Sequence, residues 1–410
     1  MTNLRTLTIL LAMLAMLGPF ATDAYLPSFY AIGEEFSVDQ PKVQQTLSAY
    51  LLAFAAMSLF WGTLSDSFGR RPVIIGSLVM FTVGSVGVAL APTYEWLLFF
   101  RVIQGSSAGA GRVVGQALVR DRFHGADAQR LFANITMVFS LAPAVAPIIG
   151  GYLGEHIGWR SVFWTLTIVS LLLSTFSWRS LPETLPPSHR HPFRLGSILR
   201  NYFNALRNPY FVLSITGLGF AFAGFALYIS SAAHFIMEIL KLPQTAFGWL
   251  FVPFIAGMFC GSMINSRFAG RLRLELMIRI GLSILALGAV LNVLYNVLFI
   301  AAVPWAVVPI FIYAFGMSLA LPGMTIATLN YLPQMRGTAS SLQSSFQMTI
   351  FALIAGLIAP LLFQSALKLS LGMLATASLC ISIWSLSRWL TKRAQASGKL
   401  DSDLDKRAAG

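Results

Sequence analysis

The strongest constraint in this sequence is the recurrence of uninterrupted apolar runs about 20 residues long, each bounded by charges, prolines or glycines. A helix needs about 20 such residues to cross the ~30 Å hydrocarbon core of a bilayer, and backbone in that core must satisfy its own hydrogen bonds. Twelve runs qualify: 6–30, 44–64, 73–91, 96–116, 131–153, 160–180, 210–237, 246–266, 276–300, 304–328, 338–364 and 370–390. They lack the period-two alternation of a membrane β-barrel strand, so the spans are predicted to be helices. Composition agrees, with 56% hydrophobic and 10% charged residues where soluble domains carry about 25% charge. The first run, with Arg5, an apolar stretch from Leu7 to Phe20 and the small residues Ala21 and Ala24, also has the layout of a signal peptide. In a chain with this many spans it is expected to stay as the first helix.

Several function classes fall away. Two cysteines, Cys260 and Cys380, cannot form a disulfide framework. A net charge of +13 does not indicate a nucleic-acid partner, because too little water-facing surface remains to carry a basic patch. The charge instead reports topology. With the N-terminus in the cytoplasm, Lys and Arg fall 22 on the inner side and four outside (Lys42, Arg160, Lys241 and Lys368), while Arg101 and Arg112 lie inside a span. Both termini are therefore expected to be cytoplasmic. No Gly-x-x-x-x-Gly-Lys-Ser/Thr loop occurs, which argues against ATP-driven work, and neither metal nor cofactor is expected.

The spans divide six and six about a polar segment, Pro182 to Pro209, with five prolines and four arginines. The expected units are a first bundle at 1–181, a linker at 182–209, a second bundle at 210–391 and a tail at 392–410. Within the linker Leu195, Ile198, Leu199, Tyr202, Phe203 and Leu206 recur at helical spacing among Arg194, Arg200, Asn201, Asn204 and Arg207, the pattern of an interfacial amphipathic helix. Ser65-x-x-x-Gly69-Arg70 after the second span is echoed by Ser266-x-x-x-Gly270-Arg271 after the eighth. Parallel six-helix repeats are an arrangement of secondary transporters, whose binding site lies near the midplane between the repeats.

Of fifteen acids, only Asp23 lies well inside an apolar run. A charge there costs a few kcal/mol, about 2.5–3.5 at mid-bilayer on insertion scales, so the residue calls for a function. It is either a helix-end acid facing water, since Pro27 follows Pro19 closely, or a carboxyl in a central cavity that exchanges protons. Arg101 and Gln104 in the fourth span are neighbours on one helix face. Arg101 reads as a cation for that cavity or as an interfacial anchor below Glu95. Arg112 returns to within roughly 20° of the same face; it either snorkels to the cytoplasm or lines the inner cavity, where it would favour polar or anionic ligands. In the fifth span Ala142, Ala146, Gly150 and Gly154 recur every fourth residue beside Pro143 and Pro147, which serves close packing and, in the alternative, bending. Among the histidines, His124, His156, His189 and His191 fall in loops or the linker, and His234 near Glu238 reads as a helix-end residue rather than a proton relay.

Gly62-Thr-Leu-Ser-Asp66-Ser-Phe-Gly69-Arg70-Arg71-Pro72 resembles the loop signature of the major facilitator superfamily. Arg101-Val-Ile-Gln104-Gly105 is similar to its fourth-helix motif, and Ala142-Pro143-Ala-Val-Ala-Pro147-Ile-Ile-Gly150-Gly151 to its fifth-helix antiporter motif. Thr22-Asp23-Ala-Tyr25-Leu26-Pro27, Leu118-Val-Arg120-Asp121 and Arg336-Gly-Thr-Ala-Ser resemble the bicyclomycin and chloramphenicol resistance family of drug:proton antiporters. The resemblance implies the major facilitator fold in a bacterial inner membrane, as a monomer, with a small molecule, protons and the lipid bilayer as partners.

By the same resemblance Asp23 takes the proton with Arg101 as its electrostatic partner. The substrate cavity is expected to be lined by Asp23, Tyr25, Arg101, Gln104, Ala108 and Arg112. Gly62, Asp66, Gly69, Arg70 and Arg71 form a latch reaching toward a helix that begins near Gly337, and Pro143, Ala146, Pro147, Gly150 and Gly151 form the antiporter helix motif. Ser67 replaces a usual basic residue, and Arg267 stands in the second repeat where the first has Asp66. A metabolite carrier for nucleosides, amino acids or peptides shares all these motifs, and a non-transporting receptor is the remaining alternative; an enzyme is not expected.

Overall fold

The computed structural model describes residues 4–123, 125–190, 192–268 and 271–396. His124, His191, Gly270, Lys399, Lys406 and Arg407 lie outside the described residues, as do the side chains of Arg5, Arg130 and His189. The described chain is helical throughout: α1 (Leu4–Asp23), α2 (Phe29–Phe36), α3 (Gln40–Ser58), α4 (Trp61–Phe68), α5 (Arg70–Ala89), α6 (Tyr94–Ala108), α7 (Ala110–Arg122), α8 (Gly125–His156) and α9 (Arg160–Ser180) make the first half. The linker helix α10 (Leu195–Leu206) follows, then α11 (Pro209–Ser230), α12 (Ala232–His234), α13 (Gly248–Phe268), α14 (Leu274–Leu298), α15 (Val308–Leu329), α16 (Arg336–Leu353), α17 (Ala359–Leu362) and α18 (Ala366–Ala396).

Among the described residues nine helical segments are long and apolar enough to cross a bilayer, or ten with the pair α3 and α4, bent by 49° at Leu59 and Phe60. The fourth and fifth predicted runs are also helical, as α6 with α7 and as α8. Several boundaries differ from the sequence expectation. The first run does not continue as one helix to residue 30: α1 stops at Asp23, a 3-10 turn takes Leu26–Ser28, and α2 carries on to Phe36. Pro27 has no N–H to donate, so the chain turns there. The fourth span reaches Arg122 rather than residue 116, because helix outlasts membrane: Gln116, Arg120, Asp121 and Arg122 end the apolar run without ending the helix.

The halves repeat one packing scheme. α3 on α6 recurs as α13 on α15, α5 on α9 as α14 on α18, and α5 on α6 as α14 on α15. Bare glycines permit equivalent close crossings: a Cβ on Gly105 would collide with the Tyr50 backbone, and one on Gly257 with the Phe311 carbonyl. In lipid such van der Waals contact replaces the hydrophobic effect between helices.

The halves meet through α3 on α16 and α8 on α13. We call the end with the start of α1 and the finish of α18 the near end. At the far end a polar seam closes the molecule. Gln44 Nε2 donates to the Ser230 carbonyl at 2.8 Å, Gln45 Nε2 to the Gly356 carbonyl at 2.8 Å, and the Ser48 hydroxyl to the Ala352 carbonyl. In return Gln244 Nε2 donates to the Pro27 carbonyl at 2.7 Å. His234 Nδ1 lies 2.8 Å from the Tyr30 hydroxyl, so this histidine joins the two halves. At the near end Gly62 and Gly337 both face open space.

Candidate functional site

The first half encloses a polar knot around Arg101. Its guanidinium is fully buried between two rings, with Cζ 4.1 Å from the Tyr25 centroid and 4.2 Å from that of Tyr50. Nη1 donates to Gln104 Oε1 at 2.6 Å and to the Ala21 carbonyl at 3.3 Å, while Nε reaches the Thr46 carbonyl at 3.5 Å. Gln104 Nε2 is in turn fixed by the Ser85 hydroxyl at 2.8 Å, and Tyr25 by the Thr46 hydroxyl at 3.2 Å. The remaining nitrogen, Nη2, is buried without a hydrogen-bond partner. A charged donor left open in a low-dielectric interior is costly unless some state of the protein uses it.

Asp23 sits at the end of α1, two residues before Tyr25, and is buried. It accepts a hydrogen bond from the Thr22 hydroxyl at 3.1 Å and takes no part in the ion pairs, within 4.0 Å, among the described residues. It ends a helix, in a place that is enclosed rather than facing water. The expected Asp23 and Arg101 partnership is not a direct contact here, since Tyr25 and the Ala21 carbonyl occupy the guanidinium instead. Arg101 is no interfacial anchor either.

The residues expected to line a cavity divide in two. Asp23, Tyr25, Arg101, Gln104 and Ala108 are all buried inside the first bundle in this conformation. Close helix packing buries them: α6 crosses α3 at Gly105, and Phe163 of α9 closes over Tyr25 at 5.7 Å between ring centroids. Arg112 differs. It is ringed by protein yet exposed, on a flank of α7 that continues through Gln116 to exposed Arg120 at the near end.

Gly150 ties α8 to the break after Asp23, because a Cβ there would collide with the Ala24 carbonyl. One residue on, Gly151 meets the Gln244 carbonyl of the other half in the same way. Ala142 and Ala146 are fully buried, Pro147 is buried and Pro143 half-buried, all within one continuous helix. The small-residue stripe thus packs tightly, and on both halves at once.

The motif loop is organised by Arg70, whose Nε donates to Asp121 at 3.0 Å and Nη1 to the Ser65 hydroxyl at 2.7 Å, with Asp66 as a further ion partner. Glu183 of the linker accepts from the Arg70 and Arg71 amides at 3.0 and 3.3 Å, placing a carboxylate at the positive end of α5. Gly69 takes a φ of +99°, which only glycine adopts readily, and a side chain there would strike Glu183. In this conformation the cluster stays within the first half and the linker, with Asp66 on Arg70 rather than on α16. Sequence reasoning missed Tyr50, Thr46, Ser85 and Glu183. The first three are single polar groups in apolar runs, and only an acid beside Pro182 hinted at the last.

Two repeated six-helix bundles with a buried charged knot in one and a seam between them define a membrane transporter of the secondary type. The chain belongs to the Major Facilitator Superfamily, whose family pattern matches residues 9–360. It is a family of transporters and not of enzymes. Among its relatives is the bicyclomycin resistance protein homolog of Haemophilus influenzae, 33% identical and aligned over 93% of this chain and 95% of that one. The multidrug resistance protein MdtM of Salmonella typhimurium is 27% identical over 85% of each. In fold the chain matches a D-xylose–proton symporter with a TM-score of 0.72 at 13% identity, covering 92% of this chain and 96% of that one.

Proposed function

We propose that the protein is a proton-coupled exporter of drugs or similar small molecules, acting by alternating access as a monomer in a bacterial inner membrane with both termini in the cytoplasm. The observation that carries this reading is Asp23, a buried carboxyl without a cation partner at a break in α1. Burying a carboxylate unpaired costs several kcal/mol, of the order of 3–5 when a buried pair is broken, so such a group has its use in gaining and losing a proton. The names of the bicyclomycin and multidrug relatives support drugs as cargo.

The geometry suggests a sequence of events. Protonated, Asp23 rests on Thr22 as described. On losing its proton the carboxylate is drawn to the open Nη2 of Arg101, which moves Tyr25 from its stack. Gly150 rides on Ala24 and Gly151 on Gln244, so a shift of the α1 break reaches the second half through α8. Substrate from the cytoplasm meets the deprotonated state; a proton from outside resets it. Each charge moved adds about 2.3 kcal/mol per 100 mV of potential. Residues 4–181 and 210–391 move as units, and 182–209 link them. In the state closed at the near end Asp66 leaves Arg70 for the amino end of α16 near Gly337.

In proteoliposomes Asp23→Asn is expected to fold and bind ligand but to lose export driven by a pH gradient; unchanged export would overturn the reading. Arg112, accessible within protein, favours polar or anionic cargo and so a metabolite carrier as the second reading. A susceptibility panel run beside a metabolite uptake panel separates the two.

A further inference from the structure

The linker helix α10 has two apolar faces rather than one. Ile198, Tyr202 and Ala205 are buried in a cluster with Phe211, Ile215, Tyr331, Leu332 and Leu342, against which Leu59 and Phe60 also pack. The Tyr202 hydroxyl donates to the Leu59 carbonyl at 2.6 Å. Leu59 and Phe60 belong to the first half, the rest of the cluster to the second or to α10 itself, so this face clips the halves together at the near end.

The second face is a stripe of Leu195, Leu199, Phe203 and Leu206, each about half exposed. At 100° per residue these four fall in a sector roughly 80° wide, directly adjoining the buried one. Arg200 and Arg207 lie on its far edge, both exposed, and the Arg207 guanidinium stacks 4.4 Å above the Phe203 ring. Ser197, Asn201 and Asn204 fill the remaining arc. A clipping face, an apolar stripe, a basic edge and a neutral polar back thus follow one another around a single helix of 12 residues. Apolar stripe beside basic edge is complementary to one surface in particular, a leaflet of acyl chains under anionic headgroups.

We infer that α10 binds anionic lipid through Leu195, Leu199, Phe203 and Leu206 with Arg200 and Arg207, and that this binding sets how firmly its adjoining buried face clips the two halves. The inference depends on the near end facing a leaflet and is independent of the cargo. Its test therefore uses the full chain and needs no transport. In a Cys260→Ser, Cys380→Ala background, spin labels at Leu199→Cys and Phe203→Cys in phosphatidylcholine vesicles with phosphatidylglycerol are expected at acyl-chain depth, and a label at Asn204→Cys in water. Equal aqueous exposure of all three overturns the inference.

For the clip, the distance between labels at Phe68→Cys and Phe268→Cys reads the near end directly. Added phosphatidylglycerol is expected to shift its open-to-closed ratio, and Arg200→Gln with Arg207→Gln to reduce that shift by at least about fivefold. Phe203→Asn gives the same loss by removing the stripe instead of the charge. No shift with phosphatidylglycerol, or an equal shift in the double Arg variant, overturns the coupling.

Discussion

In the first six spans the charged residues that are buried are Asp23, Arg70 and Arg101, whereas in the last six the buried polar side chains among the described residues are all neutral. Asn292 is typical of the second half: fully buried, it donates to the Tyr228 hydroxyl at 2.6 Å and holds Asn296 through its own oxygen at 3.0 Å. Tyr313 spans from α15 to the Ala221 carbonyl at 3.2 Å. These bonds join neutral groups. The Arg101 knot carries a charge and keeps one donor open. The same helix packing thus supports a second half whose buried polar side chains are neutral and a first half that also buries charge, which is where a proton-driven change is expected to start.

The comparison breaks most visibly at Arg101. Arg101→Met removes a buried charge while filling similar volume but leaves Gln104 Oε1 without its donor, so about 1–3 kcal/mol of stability is expected to be lost in thermal unfolding in detergent, while pH-driven export is abolished. A large loss of stability with export retained would make Arg101 a structural residue. Next comes Gly150→Val, which forces a side chain into the Ala24 carbonyl; overpacking of about 1–3 kcal/mol and slowed export are expected, measured by melting and by proteoliposome flux.

The opposite pattern is expected of Asn292→Leu, with about 1–2 kcal/mol of stability lost because Tyr228 loses its donor, and proton coupling intact. A changed ratio of protons to cargo in that variant would end the assignment of coupling to the first half alone. The smallest effect belongs to Glu183→Gln. Its carboxylate is partly exposed, so under about 1 kcal/mol is expected, read as a small rise in amide exchange at the start of α5.

How far the sequence reveals this molecule depends on the range of the forces involved. Helices were legible because lipid imposes a length and an apolar character on each span alone. Asp23 was legible because a lone acid in an apolar run carries a cost that needs a reason. The helix break at Asp23 was harder, since Pro27 hints at it but the enclosing of the end by α8 and α9 is tertiary. Tyr50, Thr46 and Ser85 gave no sign, being single polar groups whose partners come from other spans. The packing over the Arg101 face was illegible for the same reason: a helix face with polar residues is visible in the chain, but which neighbour covers it is not.

The far-end seam has a consequence for how such a protein drifts over generations. Its four glutamine and serine bonds all end on main-chain carbonyls, at Ser230, Gly356, Ala352 and Pro27. A carbonyl is supplied by whatever residue stands at the position, so at Ser230 and Ala352 replacement of a side chain leaves the bond's chemistry intact, whereas at Gly356 a Cβ would strike the Ser48 hydroxyl. Gln44, Gln45, Ser48 and Gln244, with the Tyr30 and His234 pair, hold the closure hostage to their identity. The far end can therefore exchange several of its accepting residues while the door itself goes on shutting.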